Sequence, residues 1–138
     1  MIGATSASIQ REPPRMQKIL VIEDNVVVRT TICRILKVGG YAVIEAGDGL
    51  RGIAAFRQEH PDLVISDIIM PEQEGIATIR QILAESPGAK IIAISGGGRI
   101  GNTDFLQIAR KMGASDVLPK PFDPEELLKR VAACLNPG

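Results

Sequence analysis

At 138 residues, with sixteen basic side chains against sixteen acidic ones, the chain is sized for one domain and carries no net charge. Apolar residues make up 45%, enough for a packed core and against a disordered chain. The charge balance leaves no basic surplus for nucleic acid, and 3% aromatics provide neither a flavin cage nor a platform for stacked bases.

The first 17 residues, "MIGATSASIQREPPRMQ", lack the apolar centre of a signal peptide. Their small and polar residues and Pro13-Pro14 predict a flexible arm over 1–17, with Met16 as an alternative start and one domain over 18–138. No apolar run approaches the ~18–20 residues of a membrane span, so a cytoplasmic protein without membrane contact is expected. Five short apolar runs follow: "KILVI" (18–22), "YAVIEA" (41–46), "DLVIS" (62–66), "KIIAI" (90–94) and "DVL" (116–118). The first, third and fourth are nearly continuous in Ile, Leu and Val, as strands buried on both faces are in parallel sheets.

Helical patterns lie between the runs. Val28, Ile32, Ile35 and Leu36 recur at helical spacing and stop at Gly39-Gly40. Further helices are predicted over about Leu50–Glu59, Gly75–Glu85 and Thr103–Met112, the last stopping at Gly113. The final one opens with Asp123 as N-cap, Pro124 in the first position and Glu125-Glu126 in the first turn. Five β-α units predict a single doubly wound α/β domain. Cys33 and Cys134 fall in helices without C-x-x-C spacing, and one His cannot complete a zinc set; reduced core thiols are expected.

Ligands of an open parallel sheet bind beyond the carboxyl ends of its strands. The runs end in Glu23-Asp24, Ser66-Asp67, Ser95 and Pro119-Lys120, so one edge should collect three carboxylates, a hydroxyl and an ammonium. Crowded carboxylates repel one another, and a divalent cation relieves the conflict. Oxygen-only ligands favour magnesium, held by carboxylates, waters and a phosphate. One carboxylate can then serve as nucleophile while Lys120 and Ser95 stabilise phosphoryl oxygens.

With "ILVIEDN", "DLVISDIIMPEQEG", "IIAIS" and "LPKPF", residues 18 to about 135 closely resemble the response-regulator receiver domain of bacterial two-component signalling, of the chemotaxis type. The resemblance implies a five-stranded flavodoxin-like sheet in the order 2-1-3-4-5 with helices on both faces. It implies Asp67 as phosphoacceptor, and a magnesium (or manganese) site of Asp24, Asp67 and the Ile69 backbone carbonyl, with Glu23 acting through water. It implies Ser95 as the switch hydroxyl, Lys120 as the site lysine and a cis bond before Pro121. The donor would be a sensor histidine kinase or a histidine phosphotransfer protein. The output would be a changed surface read by a downstream protein, with no direct contact to nucleic acid and with a phosphorylation-dependent homodimer as one form. The chain is expected to be a stand-alone receiver that supports its own phosphorylation and slow dephosphorylation, not a turnover enzyme.

Three positions depart from the family pattern. Val117 stands where an aromatic switch residue is common, Glu23 replaces the commoner aspartate, and the stretch between Ser95 and Lys120 is extended by a glycine run. That run, "GGGRIG", matches G-x-G-x-x-G, but the acid a dinucleotide site needs, Asp116, starts a strand and lies at the wrong edge. Gly96, Gly97, Gly98 and Arg99 are therefore expected to form a mobile loop on the phosphate side. An aspartyl phosphatase would need an acid two residues past Asp67, where Ile69 stands. A receiver-fold interaction module that works without phosphorylation is the alternative.

Overall fold

The structure, a computed structural model, describes residues 16–68, 74–95 and 102–136, without the side chains of 74 and 102–106. Most of the expected arm, the Ile69 carbonyl and the Gly96–Arg99 run lie outside the described residues. The elements alternate throughout: β1 (Lys18–Ile22), α1 (Val26–Val38), β2 (Ala42–Ala46), α2 (Gly49–Glu59), β3 (Leu63–Asp67), α3 (Glu74–Glu85), β4 (Ile91–Ser95), α4 (Asn102–Met112), β5 (Asp116–Pro119) and α5 (Pro124–Leu135). All pairings are parallel and the order is β2-β1-β3-β4-β5, as the resemblance implied.

Burial explains the composition of the strands. Every residue of β3 and β4 is buried, while the edge strand β2 is only half-buried. Strand alternation sorts the side chains into two cores. Leu20, Ile22, Val64, Ile91, Ala93 and Val117 pack on one face with Ile53 of α2, Ile79 and Ile82 of α3 and Ala109 of α4. On the other face Ile19, Val21, Ile65, Ile92, Ile94 and Leu118 meet Ile32 and Leu36 of α1 and Leu127 and Val131 of α5. Cys33 fills this second core, where burial pushes its thiol up to about 11; Cys33 and Cys134 are both free.

The helices begin where the short polar residues are. Asn25 Oδ1 accepts from Val28 N–H at 3.0 Å, Asp48 Oδ1 from Arg51 N–H at 2.8 Å and Asp123 Oδ1 from Glu126 N–H at 2.7 Å. The Asn25 and Asp48 caps set helix starts one to two residues earlier than apolar periodicity alone places them. At the far end of α2, His60 closes the helix in a left-handed conformation with φ 49° and ψ 61°. Glycine takes this conformation without a Cβ penalty. His60→Gly is therefore expected to stabilise the fold by about 0.5–1 kcal/mol, read as a rise in urea midpoint at unchanged slope.

Candidate functional site

Two strands expected to stop one residue short run on through their polar ends. Asp67 pairs with Ile94 and Ser95 with Pro119, so both are strand residues held by the sheet. On the neighbouring strand Ile22 pairs with Ser66, which sets Glu23 one step beyond, beside Asp67. By strand parity Glu23, Asp67 and Lys120 belong to the face covered by α1 and α5, and Ser95 to the face of Ala93 and Val117.

Lys120, just past β5, reaches back across β4. Its Nζ lies 3.1 Å from Asp67 Oδ2 and 3.3 Å from Glu23 Oε1. Glu23 is 1% exposed and Asp67 4%, so the lysine serves two carboxylates that water scarcely touches. Burial, first, and then the charge and hydrogen bond of Asp67 raise the Glu23 carboxyl to about 7; the Asn25 N–H and Lys120 pull the other way. The Asn25 N–H donates to Glu23 Oε2 at 3.1 Å. One ammonium thus leaves excess negative charge at the strand ends.

Asp24 is not gathered in with this pair: it is exposed. The expected three-carboxylate cluster is a buried pair with a third carboxylate on the adjoining turn. Among the described residues no group of three or more His, Cys, Asp or Glu is placed to hold a metal ion. The reason is local: Glu23 directly follows β1 and is still covered, whereas Asp24 lies one residue farther out, on the turn before α1. The donor chemistry still fits magnesium, which takes one or two carboxylates and fills its remaining positions with water and phosphate. The excess charge on Glu23 and Asp67 is what a hard cation would relieve.

Ser95 is fully buried at the end of β4, and the Lys120 N–H donates to its carbonyl at 2.8 Å. The Lys120-Pro121 bond is cis, as expected. Val117 is 6% exposed and packs in the first core. Its N–H donates to Asp116 Oδ1 at 2.8 Å and its carbonyl accepts from Arg130 at 3.0 Å. Arg130 also grips Asp116 itself, at 3.0 and 3.1 Å, so the acid at the wrong edge for a ribose is a strut between β5 and α5.

Residues 19–132 match the family described as the response regulator receiver domain. The chain belongs to the response-regulator receiver family. It is similar to the chemotaxis protein CheY of Listeria monocytogenes, with 36% identity over 115 residues that span 83% of this chain and 94% of that protein. It is 35% identical to the probable transcriptional regulator ycf27 of Porphyridium aerugineum, covering 87% of this chain but 48% of that longer protein. Among solved structures it is similar to Vibrio cholerae CheY4, with TM-score 0.78 and 28% identity over 88% of this chain and all of that one. It is also similar to the receiver domain of Brucella abortus NtrX, with TM-score 0.80 and 30% identity over 87% of this chain and 99% of that one. The family places this receiver in two-component signalling, and no helix among the described residues is long and apolar enough to cross a membrane.

Two receiver residues near the site have no forecast in the sequence. Gly75 opens α3 against the Asp67-Ile68 backbone: a Cβ there would stand 2.1 Å from the Asp67 carbonyl oxygen and 2.6 Å from Ile68 Cα. Its place in "PEQEG" was the available signal. Arg29, one turn into α1, donates from Nη1 to the Glu23 carbonyl at 2.8 Å and from Nε to Glu45 Oε1 at 3.2 Å. On sequence alone it reads as one more solvated helix charge.

Proposed function

We propose that this receiver domain accepts a phosphoryl group on the Asp67 carboxylate from a phosphohistidine of a sensor histidine kinase or histidine phosphotransfer protein. An Asp67 oxygen attacks phosphorus as the P–N bond breaks, and the departing imidazole nitrogen keeps the electron pair and takes up a proton. The observation that carries this reading is the Lys120 ammonium, 3.1 Å from Asp67 Oδ2 at a buried strand end, where it can pass to an incoming phosphoryl oxygen. Ser95 offers a hydroxyl from the neighbouring strand. Asp24, Asp67 and the Ile69 carbonyl would hold magnesium or manganese, with Glu23 acting through water. The ion, when bound, supplies positive charge against the carboxylates and the phosphoryl oxygens.

The product is a mixed anhydride that the domain hydrolyses slowly. Water attacks phosphorus, the bond to the Asp67 oxygen breaks, and carboxylate and inorganic phosphate result. This is self-modification and not enzyme turnover. The output is a changed surface for a cytoplasmic protein partner or for a second copy of the domain, without direct nucleic-acid or membrane contact. With Val117 in the ring position, the change cannot be reported by an aromatic swing there.

Incubation of the chain with magnesium and acetyl phosphate is expected to add one acid-stable, base-labile phosphate that peptide mapping places on Asp67. Asp67→Asn should take none. A wild-type chain that gains no phosphate would leave the interaction module without phosphorylation as the better reading.

A further inference from the structure

We propose that Arg29 is a positioning residue that strengthens magnesium binding by fixing the Glu23–Asp24 peptide plane; this rests on the assignment of Glu23, Asp24 and Asp67 to the magnesium site. The Glu23 carbonyl is one end of the peptide that leads to Asp24, so whatever holds this oxygen limits where Asp24 can go. Arg29 Nη1 holds it at 2.8 Å. The guanidinium is anchored on its other side by Glu45 Oε1 of β2 at 3.2 Å, and its side chain is 18% exposed. Gly47 leaves the space it occupies, since a Cβ there would stand 3.3 Å from Nη1. The carboxylate of Glu23 is held separately, by the Asn25 N–H at 3.1 Å and by Lys120. The acidic turn is thus pinned at both its side chain and its main chain, and Arg29 ties the second pin to β2.

Charge and position predict opposite results for this residue. A cation beside a cation site repels magnesium, so an arginine acting through charge alone would weaken binding, and its removal would tighten it. An arginine that orders the turn does the reverse. Lysine keeps the charge but cannot reproduce the planar fork that reaches two acceptors at once.

Magnesium binding to the full chain is measured by titration calorimetry at fixed ionic strength for wild type, Arg29→Gln and Arg29→Lys, with thermal midpoints as the folding control. Arg29→Gln is expected to weaken binding about tenfold, at the lower end of what loss of an outer support costs a metal site. Arg29→Lys should also weaken it, though less, and decides the matter if the glutamine variant does not fold. Unchanged or tighter binding in folded Arg29→Gln, or wild-type affinity in Arg29→Lys, overturns the proposal. So does a wild-type chain that binds no magnesium. A wild type that binds magnesium but takes no phosphate from acetyl phosphate defeats the phosphoacceptor reading and leaves the Arg29 result standing.

Discussion

Asp67→Asn is expected to make the metal-free domain more stable, by about 1–2 kcal/mol near pH 8, while removing the proposed phosphoacceptor. Glu23 is the reason. Its carboxyl is raised to about 7, chiefly by burial and next by the charge and hydrogen bond of Asp67. An acid whose folded pKa lies above its unfolded one binds more protons when folded. The folded state therefore loses stability as pH rises from the ordinary carboxylate value through about 7, and the whole penalty is present above that. Asparagine removes the contribution of Asp67 and leaves Lys120 paired with Glu23 at 3.3 Å. Below the window Glu23 is protonated in wild type as well, so the advantage of the variant should shrink toward about pH 5. Urea denaturation with a chelator at the two pH values checks this. An Asp67→Asn chain less stable than wild type near pH 8, or equally favoured at both pH values, would refute it.

Gly75→Ala is expected to act in the opposite direction on stability, while impairing the chemistry as Asp67→Asn does. In an exposed helix the change would gain roughly 1 kcal/mol from propensity. Here the added carbon meets backbone, 2.1 Å from the Asp67 oxygen, 2.6 Å from Ile68 Cα and 2.9 Å from Ile68 C. No flexible side-chain end can yield, so the start of α3 or the end of β3 must shift. Overpacking of this kind costs about 1–3 kcal/mol, which outweighs the propensity gain. The displaced backbone is that of Asp67 itself, and a misplacement of about 1 Å can slow a reaction on the order of a hundredfold. Denaturation midpoints and the rate of labelling by acetyl phosphate should therefore both fall. Gly88→Ala is the control, because a Cβ there meets nothing within 4 Å. Wild-type stability and labelling in Gly75→Ala would show that α3 accommodates the methyl without moving Asp67.

The architecture was legible because apolar runs, caps and stops are local. "KILVI" and "KIIAI" read as strands buried on both sides, and Asp123-Pro124 is a strong helix start. Strand ends were less legible by one residue, since pairing with a neighbour carries Asp67 and Ser95 into the sheet where their polarity suggested a loop. The gathering of Glu23, Asp67 and Lys120 followed from the rule about strand ends. The exposure of Asp24 did not, because the sheet's cover ends between two adjacent acids and nothing in their composition marks where. The roles of Gly75 and Arg29 were harder to read for a different reason. What each does depends on a contact with a backbone carbonyl, and carbonyls are alike in every residue.

The two cores divide the site residues between the two faces of the sheet. Glu23, Asp67 and Lys120 belong to the side packed by α1 and α5, while Ser95 and Val117 belong to the side packed by α2, α3 and α4. A phosphoryl group at the strand ends would stand where these independently packed halves meet. One half holds the two carboxylates with their lysine, and the other brings Ser95 on β4 and Gly75 on α3 to the same strand ends. Neither side of the sheet can therefore be repacked freely: α3 touches the Asp67 backbone from one side and Lys120 its carboxylate from the other.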